Sequence, residues 1–127
     1  MTKQYPNSNV QNKNQYDLEE RTFNFAKNCR EFVKKIPRNI SNLEDSKQLV
    51  RSSGSVAANY IEANESLSKK DFCLRTKICR KEAKESRLWL CLIDVGNSEI
   101  LLKEKNILIQ EATELTKIFN SIAEKSK

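Results

Sequence analysis

The positive charge of this 127-residue chain is concentrated in one segment, residues 69–87. That segment holds eight Lys or Arg residues and three Asp or Glu residues, so its net charge of +5 is most of the chain's +6. At helical spacing most of the basic side chains share one side of a helix, about 120° wide. Such a surface can neutralise phosphates and release their counterions without reading a base sequence. The residues predicted to bind nucleic acid are Lys69, Lys70, Lys77, Arg80, Lys81, Lys84 and Arg87.

Two other interpretations of this basic stripe stay open. It could be a solvated face that only keeps the protein soluble, because one-sided charge is common on surface helices. Alternatively, the protein could dock a partner protein through apolar strips and have no nucleic-acid role. No aromatic residue is interleaved with the stripe, so phosphate contact rather than base stacking would dominate any binding. Salt separates the hypotheses, since phosphate binding weakens steeply as salt rises and apolar docking does not.

Residue types suited to catalysis are scarce. The chain has no histidine, so it can form neither a Ser-His pair nor a Cys-His pair. Its two glycines, Gly54 and Gly96, make no Gly-rich phosphate loop. Arg51, Ser55 and Glu62 form a polar stripe on one predicted helix, but ordinary hydrogen bonds between helices or subunits explain such a stripe. The sequence therefore predicts a protein that is not an enzyme and needs no cofactor.

The cysteines and the terminal segments also carry information about the protein class. Cys29, Cys73, Cys79 and Cys91 form no CxxC pair, so we expect reduced structural thiols and no metal site. No apolar run approaches the roughly 18 residues that span a membrane. The polar N-terminal segment lacks the apolar centre of a signal peptide. We therefore expect a cytoplasmic protein with no membrane partner.

Four helices are predicted to position these residues. The low content of Gly and Pro, with 38% hydrophobic residues, is typical of a compact helical domain. Residues 1–15 lack periodicity and are predicted to be a disordered tail, and residues 16–124 form one domain. An all-α, antiparallel up-and-down four-helix bundle is the predicted architecture. Apolar spacing places its helices near residues 17–36, 42–66, 69–95 and 98–124.

The second predicted helix is unusually rich in small side chains. Its main inward stripe is predicted to be Leu49, Ser53, Val56, Tyr60, Ala63 and Leu67, and an adjoining stripe to be Val50, Gly54, Ala57 and Ile61. Small residues let helix backbones approach closely. Gly54 costs about 1 kcal/mol relative to alanine in mid-helix, so a packing gain should offset it. The stretch is therefore predicted to be a packing surface with neighbours on both sides, and the alternative is a serine-rich face in contact with solvent.

The third predicted helix also carries more apolar surface than a lone bundle buries. A second apolar strip contains Leu74, Ile78, Trp89 and Leu92, and Trp89 is expected to be largely buried with a partner for its indole N–H. A bundle buries about one stripe per helix, so the extra surfaces indicate a homo-oligomer. The predicted oligomer interface consists of Gly54, Ala57, Leu74, Ile78, Trp89 and Leu92.

Three segments of the chain resemble the small bacterial four helix bundle protein family: DLEERTFNFAK, QLVRSSGSVAANYIEA and SKKDFCLRTKICRKEAKESRLWLCLI. This family is also called the intervening-sequence protein, because some members are encoded inside insertions in large-subunit ribosomal RNA genes, and it is often labelled a ribosomal protein. The accessory variability determinant of diversity-generating retroelements is a more distant relative that binds nucleic acid and engages a reverse transcriptase.

The resemblance covers about residues 16–122 and implies a four-helix bundle assembled as a ring-like homopentamer without enzymatic activity. Taken with the basic stripe, it leads us to expect a non-enzymatic oligomeric scaffold that binds RNA or DNA, with RNA favoured. The alternative is a protein-interaction module whose partner is another protein. The pentamer comes from the resemblance alone, since the residues themselves indicate only an oligomer.

Overall fold

The computed structural model describes the chain from Lys13 to Lys127, with side chains from Leu18 onward. Over these residues it contains no strand and four helices, α1 (Lys13–Val33), α2 (Ile40–Asn64), α3 (Lys69–Leu92) and α4 (Glu99–Lys125). Short connections reverse the chain direction each time. The α2–α3 and α3–α4 pairs pack most extensively, and the α1–α4 pair packs least. The predicted all-α helical bundle is confirmed.

The helix boundaries differ from the predicted ones by a few residues. Helix α1 begins at Lys13, so residues 13–15 of the predicted tail are helical, and residues 1–12 lie outside the described residues. Helix α2 begins at Ile40 and is capped by Asn39, whose side-chain oxygen accepts a hydrogen bond from the third helical N–H. It ends at Asn64.

The core is a single column of apolar side chains between the four helices. Buried side chains of α1, α3 and α4 form it, together with most of the predicted inward stripe of α2. Tyr60 and Phe119 meet edge to face across the middle, with ring centroids 5.5 Å apart. One core prediction is wrong. Leu67 lies beyond the end of α2 and is fully exposed, because the chain leaves the helix before it can turn inward.

The small-residue stripe of α2 packs against α1 of the same chain. The guanidinium of Arg30 lies over Gly54, and a Cβ added to this glycine would be 3.1 Å from Arg30 Nη2. Arg30 donates from Nη1 to the Ala26 carbonyl at 3.1 Å and from Nη2 to the Val50 carbonyl at 3.4 Å. Gly54 therefore makes room for an arginine that fastens α1 to α2, which accounts for a glycine in mid-helix.

One buried amide ties together the two loops at one end of the bundle. Asn42 is 2% exposed, and its Nδ2 donates to the carbonyls of Pro37 and Asp94 at 2.9 and 2.8 Å. Its Oδ1 accepts a bond from the Asp94 N–H at 3.0 Å. The first loop joins α1 to α2 and the second joins α3 to α4. Asn42 thus links the two helical hairpins.

Replacing Asn42 by alanine should destabilise the protein by about 2–4 kcal/mol, because three backbone groups lose their partner at a buried site. The change would be measured as the free energy of unfolding in urea. Asn106→Ala is the matched control, since Asn106 is exposed and its replacement should change stability by less than about 0.5 kcal/mol. Equal stabilities of the two variants would contradict the linking role.

Candidate nucleic-acid interface

The orientation of α3 is fixed by a polar seam with α2, formed by Arg51, Ser52, Glu82, Glu85 and Ser86. Nη2 of Arg51 lies 3.2 Å from Glu82 Oε1 and 3.1 Å from Glu85 Oε1. The hydroxyl oxygens of Ser52 and Ser86 are 2.8 Å apart and fully buried. Only small side chains allow helices to approach this closely. The seam therefore turns two carboxylates of α3 towards α2.

Two further contacts link α2 and α3. Arg75 Nη1 donates to Asn59 Oδ1 at 3.1 Å, and the Cys79 thiol donates to the Val56 carbonyl at 3.5 Å. Burial raises the pKa of Cys79 to about 12, and burial likewise raises the pKa of Cys29 to about 12. Both thiols therefore stay protonated at neutral pH and act as packing groups rather than nucleophiles.

Two carboxylates of α4 are turned the other way, towards α1. Arg21 donates from Nε to Glu111 at 2.7 Å and from Nη2 to Glu114 at 2.8 Å. The pKa of Glu114 is lowered by a hydrogen bond from Gln110 and by the Arg21 contact. The bonds to Glu111 raise the pKa of Arg21, which stays charged at every practical pH. This ion pair crosses the loosest seam of the bundle beside a groove of about 600 Å³.

The remaining long side of the bundle, along α3 and the adjoining part of α4, is basic. All seven residues predicted to bind nucleic acid lie there, and every one is exposed except Arg80, which is half-buried. Lys117 of α4 lies on the same side by helical spacing, four residues after Thr113 and three before Asn120, which contact Arg87 and Arg80. Its charge also helps to lower the pKa of Glu114. Lys117 was not predicted, because nothing in the sequence of α4 alone indicates that this side packs beside α3. We call the following set the basic face: Lys69, Lys70, Lys77, Arg80, Lys81, Lys84, Arg87 and Lys117.

Acidic groups are few on the basic face. Lys81 lies 4.0 Å from Glu85, which belongs to the polar seam. Glu124 is paired with Lys127 at 3.0 Å, and this pairing, with weaker help from Arg80 and Lys77, lowers the pKa of Glu124. Arg80 and Arg87 instead hydrogen-bond uncharged groups of α4. At one end the face opens into a groove of about 800 Å³, whose lining includes three lysines of α3, Lys127, Asp71 and Leu74.

The predicted oligomer interface is only partly exposed. Gly54, Ala57, Ile78 and Trp89 are half-buried within the chain, whereas Leu74 and Leu92 are each 54% exposed. The indole of Trp89 packs against the core, but its buried Nε1 has no hydrogen-bond partner among the described residues. The partner expected for this N–H is therefore not found within the described part of the chain.

A larger exposed apolar surface lies where the two loops meet, and sequence reasoning did not single it out. Its members are within five residues of a helix end, and their exposure ranges from 46% to 84%. We call this set the apolar end: Ile40, Leu43, Leu88, Leu92, Ile100 and Leu102. The run EILL at the start of α4 was the signal in the sequence, because it contains more apolar residues than one inward-facing stripe needs.

The described part of the chain contains neither a metal cluster nor a membrane-spanning helix. No group of three or more Cys, Asp or Glu residues there could hold a metal ion. No helix described is both long and apolar enough to cross a membrane.

The comparisons with known proteins agree on one family. Residues 14–121 match the model of the 23S rRNA-intervening sequence protein family. A solved protein of unknown function from the S23 ribosomal protein family of Bacteroides thetaiotaomicron is 26% identical, with a TM-score of 0.66. The likeness covers 84% of this chain and 97% of that one. No curated protein matches the chain.

The Arg21 contacts should make part of the stability pH-dependent. Because the pKa of Glu114 is lowered on folding, its contribution is present above its unfolded pKa and is lost as pH falls through the folded pKa. Arg21→Gln should therefore be less stable than wild type at neutral pH, and this difference should shrink as the pH falls from neutral through the lowered folded pKa of Glu114. Urea midpoints across this range measure the effect. A difference that persists at low pH would show that Arg21 acts through packing alone.

Proposed function

Because the chain belongs to the 23S rRNA-intervening sequence protein family, we propose that it is a helical scaffold that binds RNA through its basic face. The observation that carries the proposal is the separation of charge around the bundle. Carboxylates of α3 pair with Arg51 and carboxylates of α4 pair with Arg21, on two different sides. The third side carries exposed lysines, of which Lys81 also lies 4.0 Å from Glu85, and two arginines that hydrogen-bond uncharged groups of α4.

The chemistry of this surface suits phosphates rather than bases. Lysine ammonium groups release condensed counterions when they meet a phosphate, and this gain does not depend on base sequence. Specific base contacts would need aromatic or bidentate groups placed at base edges. Binding through the basic face is therefore expected to be strongly salt-dependent and weakly sequence-dependent. A cytoplasmic location, where such RNA is found, remains a prediction.

The positions of Arg51, Ser55 and Glu62, the polar stripe on α2, are consistent with a scaffold that has no enzymatic activity. Arg51 serves the polar seam, and Ser55 accepts a hydrogen bond from the Asn59 amide at 3.0 Å. Glu62 is exposed at the far end of the helix. These three groups are separated by their roles in helix packing and do not converge on a pocket.

The apolar end favours a second property, assembly of the chain with itself. Six large apolar side chains are exposed around this end of the bundle, and large exposed apolar surfaces are uncommon on soluble monomers and mark interaction sites. A closed ring would bury it in every subunit without leaving an open end. We propose a homo-oligomer and take five subunits from the family resemblance. Docking of a different partner protein at the same surface is the alternative function.

Reversing Lys77, Lys81 and Lys84 to glutamate should abolish RNA binding without unfolding the bundle, because all three side chains are exposed. The measurement is fluorescence anisotropy of a labelled RNA hairpin against protein concentration at several salt concentrations. For every phosphate that the variant no longer neutralises, the log–log salt slope should fall by roughly 0.7–0.9.

The control for this triple variant carries the same change in net charge on other sides of the bundle. Lys27, Lys34 and Lys47 lie on α1, after α1 and on α2, and their reversal to glutamate should leave most of the affinity. Equal losses of affinity in both triple variants would show that the net charge of the protein, and not the basic face, determines RNA binding. A wild-type protein that ignores RNA at low ionic strength would remove the proposed function.

Light scattering after size exclusion should show a mass several times that of the 14.7 kDa chain at micromolar concentration. Leu43→Lys with Leu92→Lys should reduce that mass, since charged side chains at the apolar end oppose its burial. Leu67→Lys is the matched control, because Leu67 is exposed at the opposite end of the bundle. A wild-type mass near that of one chain would end the assembly proposal, and a different closed ring would change only the number of subunits.

A further inference from the structure

Two arginines of the basic face are held in place by uncharged groups of α4. Arg80 donates from Nη1 to Asn120 Oδ1 at 2.8 Å, and Arg87 donates from Nε to Thr113 Oγ1 at 3.0 Å. The Thr113 hydroxyl donates to the Ile109 carbonyl at 2.9 Å, so its oxygen is free to accept from the arginine. Each guanidinium is therefore oriented while most of its N–H donors remain available. Neither forms an ion pair with a described carboxylate, although Arg80 is close enough to Glu124 to help lower its pKa.

The other arginines with described side-chain contacts are used differently. Arg21 and Arg51 are each shared between two carboxylates, and Arg30 donates to backbone carbonyls. Arg75 has an asparagine partner like that of Arg80, but it lies on the α2–α3 side, away from the basic face. An arginine that only joins helices needs no free N–H donors. Arg80 and Arg87 each use one donor in the bond to α4 and keep the others free.

The two arginines project from one line of α3. Arg80 and Arg87 are seven residues apart, which places them on the same line of α3, about 10.5 Å apart along its axis. A guanidinium binds phosphate through two parallel N–H donors, so its orientation matters more than that of a lysine. Orienting it in advance lowers the entropy lost on binding.

Aromatic platforms for unpaired bases are absent from the described part of the basic face. Single-strand binding proteins gain much of their affinity by stacking bases on such rings. A duplex keeps its bases inside and presents phosphates and sugars, which are recognised by shape. The described aromatic side chains are buried, pack against the core or lie on α1: Phe23, Phe25, Phe32, Tyr60, Phe72, Trp89 and Phe119.

We infer that the RNA bound by the basic face is double-stranded, and that Asn120 and Thr113 are positioning residues that set Arg80 and Arg87 for two of its phosphates. The inference rests on the proposed function and adds the class of RNA and the residues that prepare the site. The lysines supply long-range attraction in this arrangement, and the two oriented arginines supply the close contacts.

The test compares a blunt RNA duplex of about 16 base pairs with one of its strands, at one low salt concentration. Wild-type protein should bind the duplex at least about tenfold more tightly than the strand. Asn120→Ala with Thr113→Val should weaken duplex binding roughly three- to tenfold for each arginine released. The salt slope should not change, because neither substitution removes a charge.

Two further variants distinguish the orientation of the two guanidinium groups from their charge and from a general loosening of the helix packing. Arg80→Lys with Arg87→Lys keeps the charge but loses the planar fork, so it should weaken duplex binding by a similar factor. Asn59→Ala is the matched control, since it releases Arg75 from the same kind of hydrogen bond on another side and should leave affinity unchanged. Circular dichroism should show all variants folded.

The outcomes distinguish this inference from the proposed function. If wild-type protein binds neither probe, RNA binding itself is wrong and the inference falls with it. If both probes bind equally, or if the Asn120 and Thr113 variant binds the duplex like wild type, the basic face still binds RNA but the duplex inference is overturned.

Discussion

The rotation of α3 about its own axis is the constraint on which the surface chemistry depends. This rotation is set by the polar seam, where the Ser52 and Ser86 hydroxyls lie 2.8 Å apart and Arg51 bridges two carboxylates. A bulky residue in place of either serine would push the two helices apart and allow α3 to rotate. With the seam closed, the carboxylates of α3 face α2, and its lysines point to solvent on the opposite side. The small side chains of Ser52 and Ser86 thus help to set which side of α3 faces solvent.

The ion pairs contribute more to charge distribution than to stability. Arg51 and Arg21 are partly exposed, and pairs of this kind typically stabilise a fold by less than about 1 kcal/mol. A fully buried Leu or Phe contributes about 1.5–3 kcal/mol by leaving water, and the core contains many such residues. The fold would therefore survive the loss of either pair. Without these pairs, the carboxylates would no longer be held away from the side that carries the lysines.

Local periodicity predicted much of this molecule, and contacts between distant residues account for what it missed. Apolar spacing identified four helices, most of the core and the seven basic residues of α3, because each depends on positions within one helix. Asn42 and the partners of Arg21 could not be found this way, since they join segments about 50 and 90 residues apart. Gly54, which is predicted to lie in an oligomer interface, has Arg30 over it within the chain. No single-helix pattern contains that arginine.

The two proposed surfaces are placed so that each can serve the other. The apolar end lies at the loops, whereas the basic face extends along α3 towards the opposite end, so burying the first leaves most of the second uncovered. Assembly would then bring several basic faces onto one particle. Phosphate contacts on a single face are weak at physiological salt, but linked sites can raise avidity by about 10²–10⁴ without any new contact. An extended RNA could therefore be held by the assembly even if one subunit alone releases it. On this argument the apolar end and the basic face form one binding device, in which the first sets how many copies of the second act together.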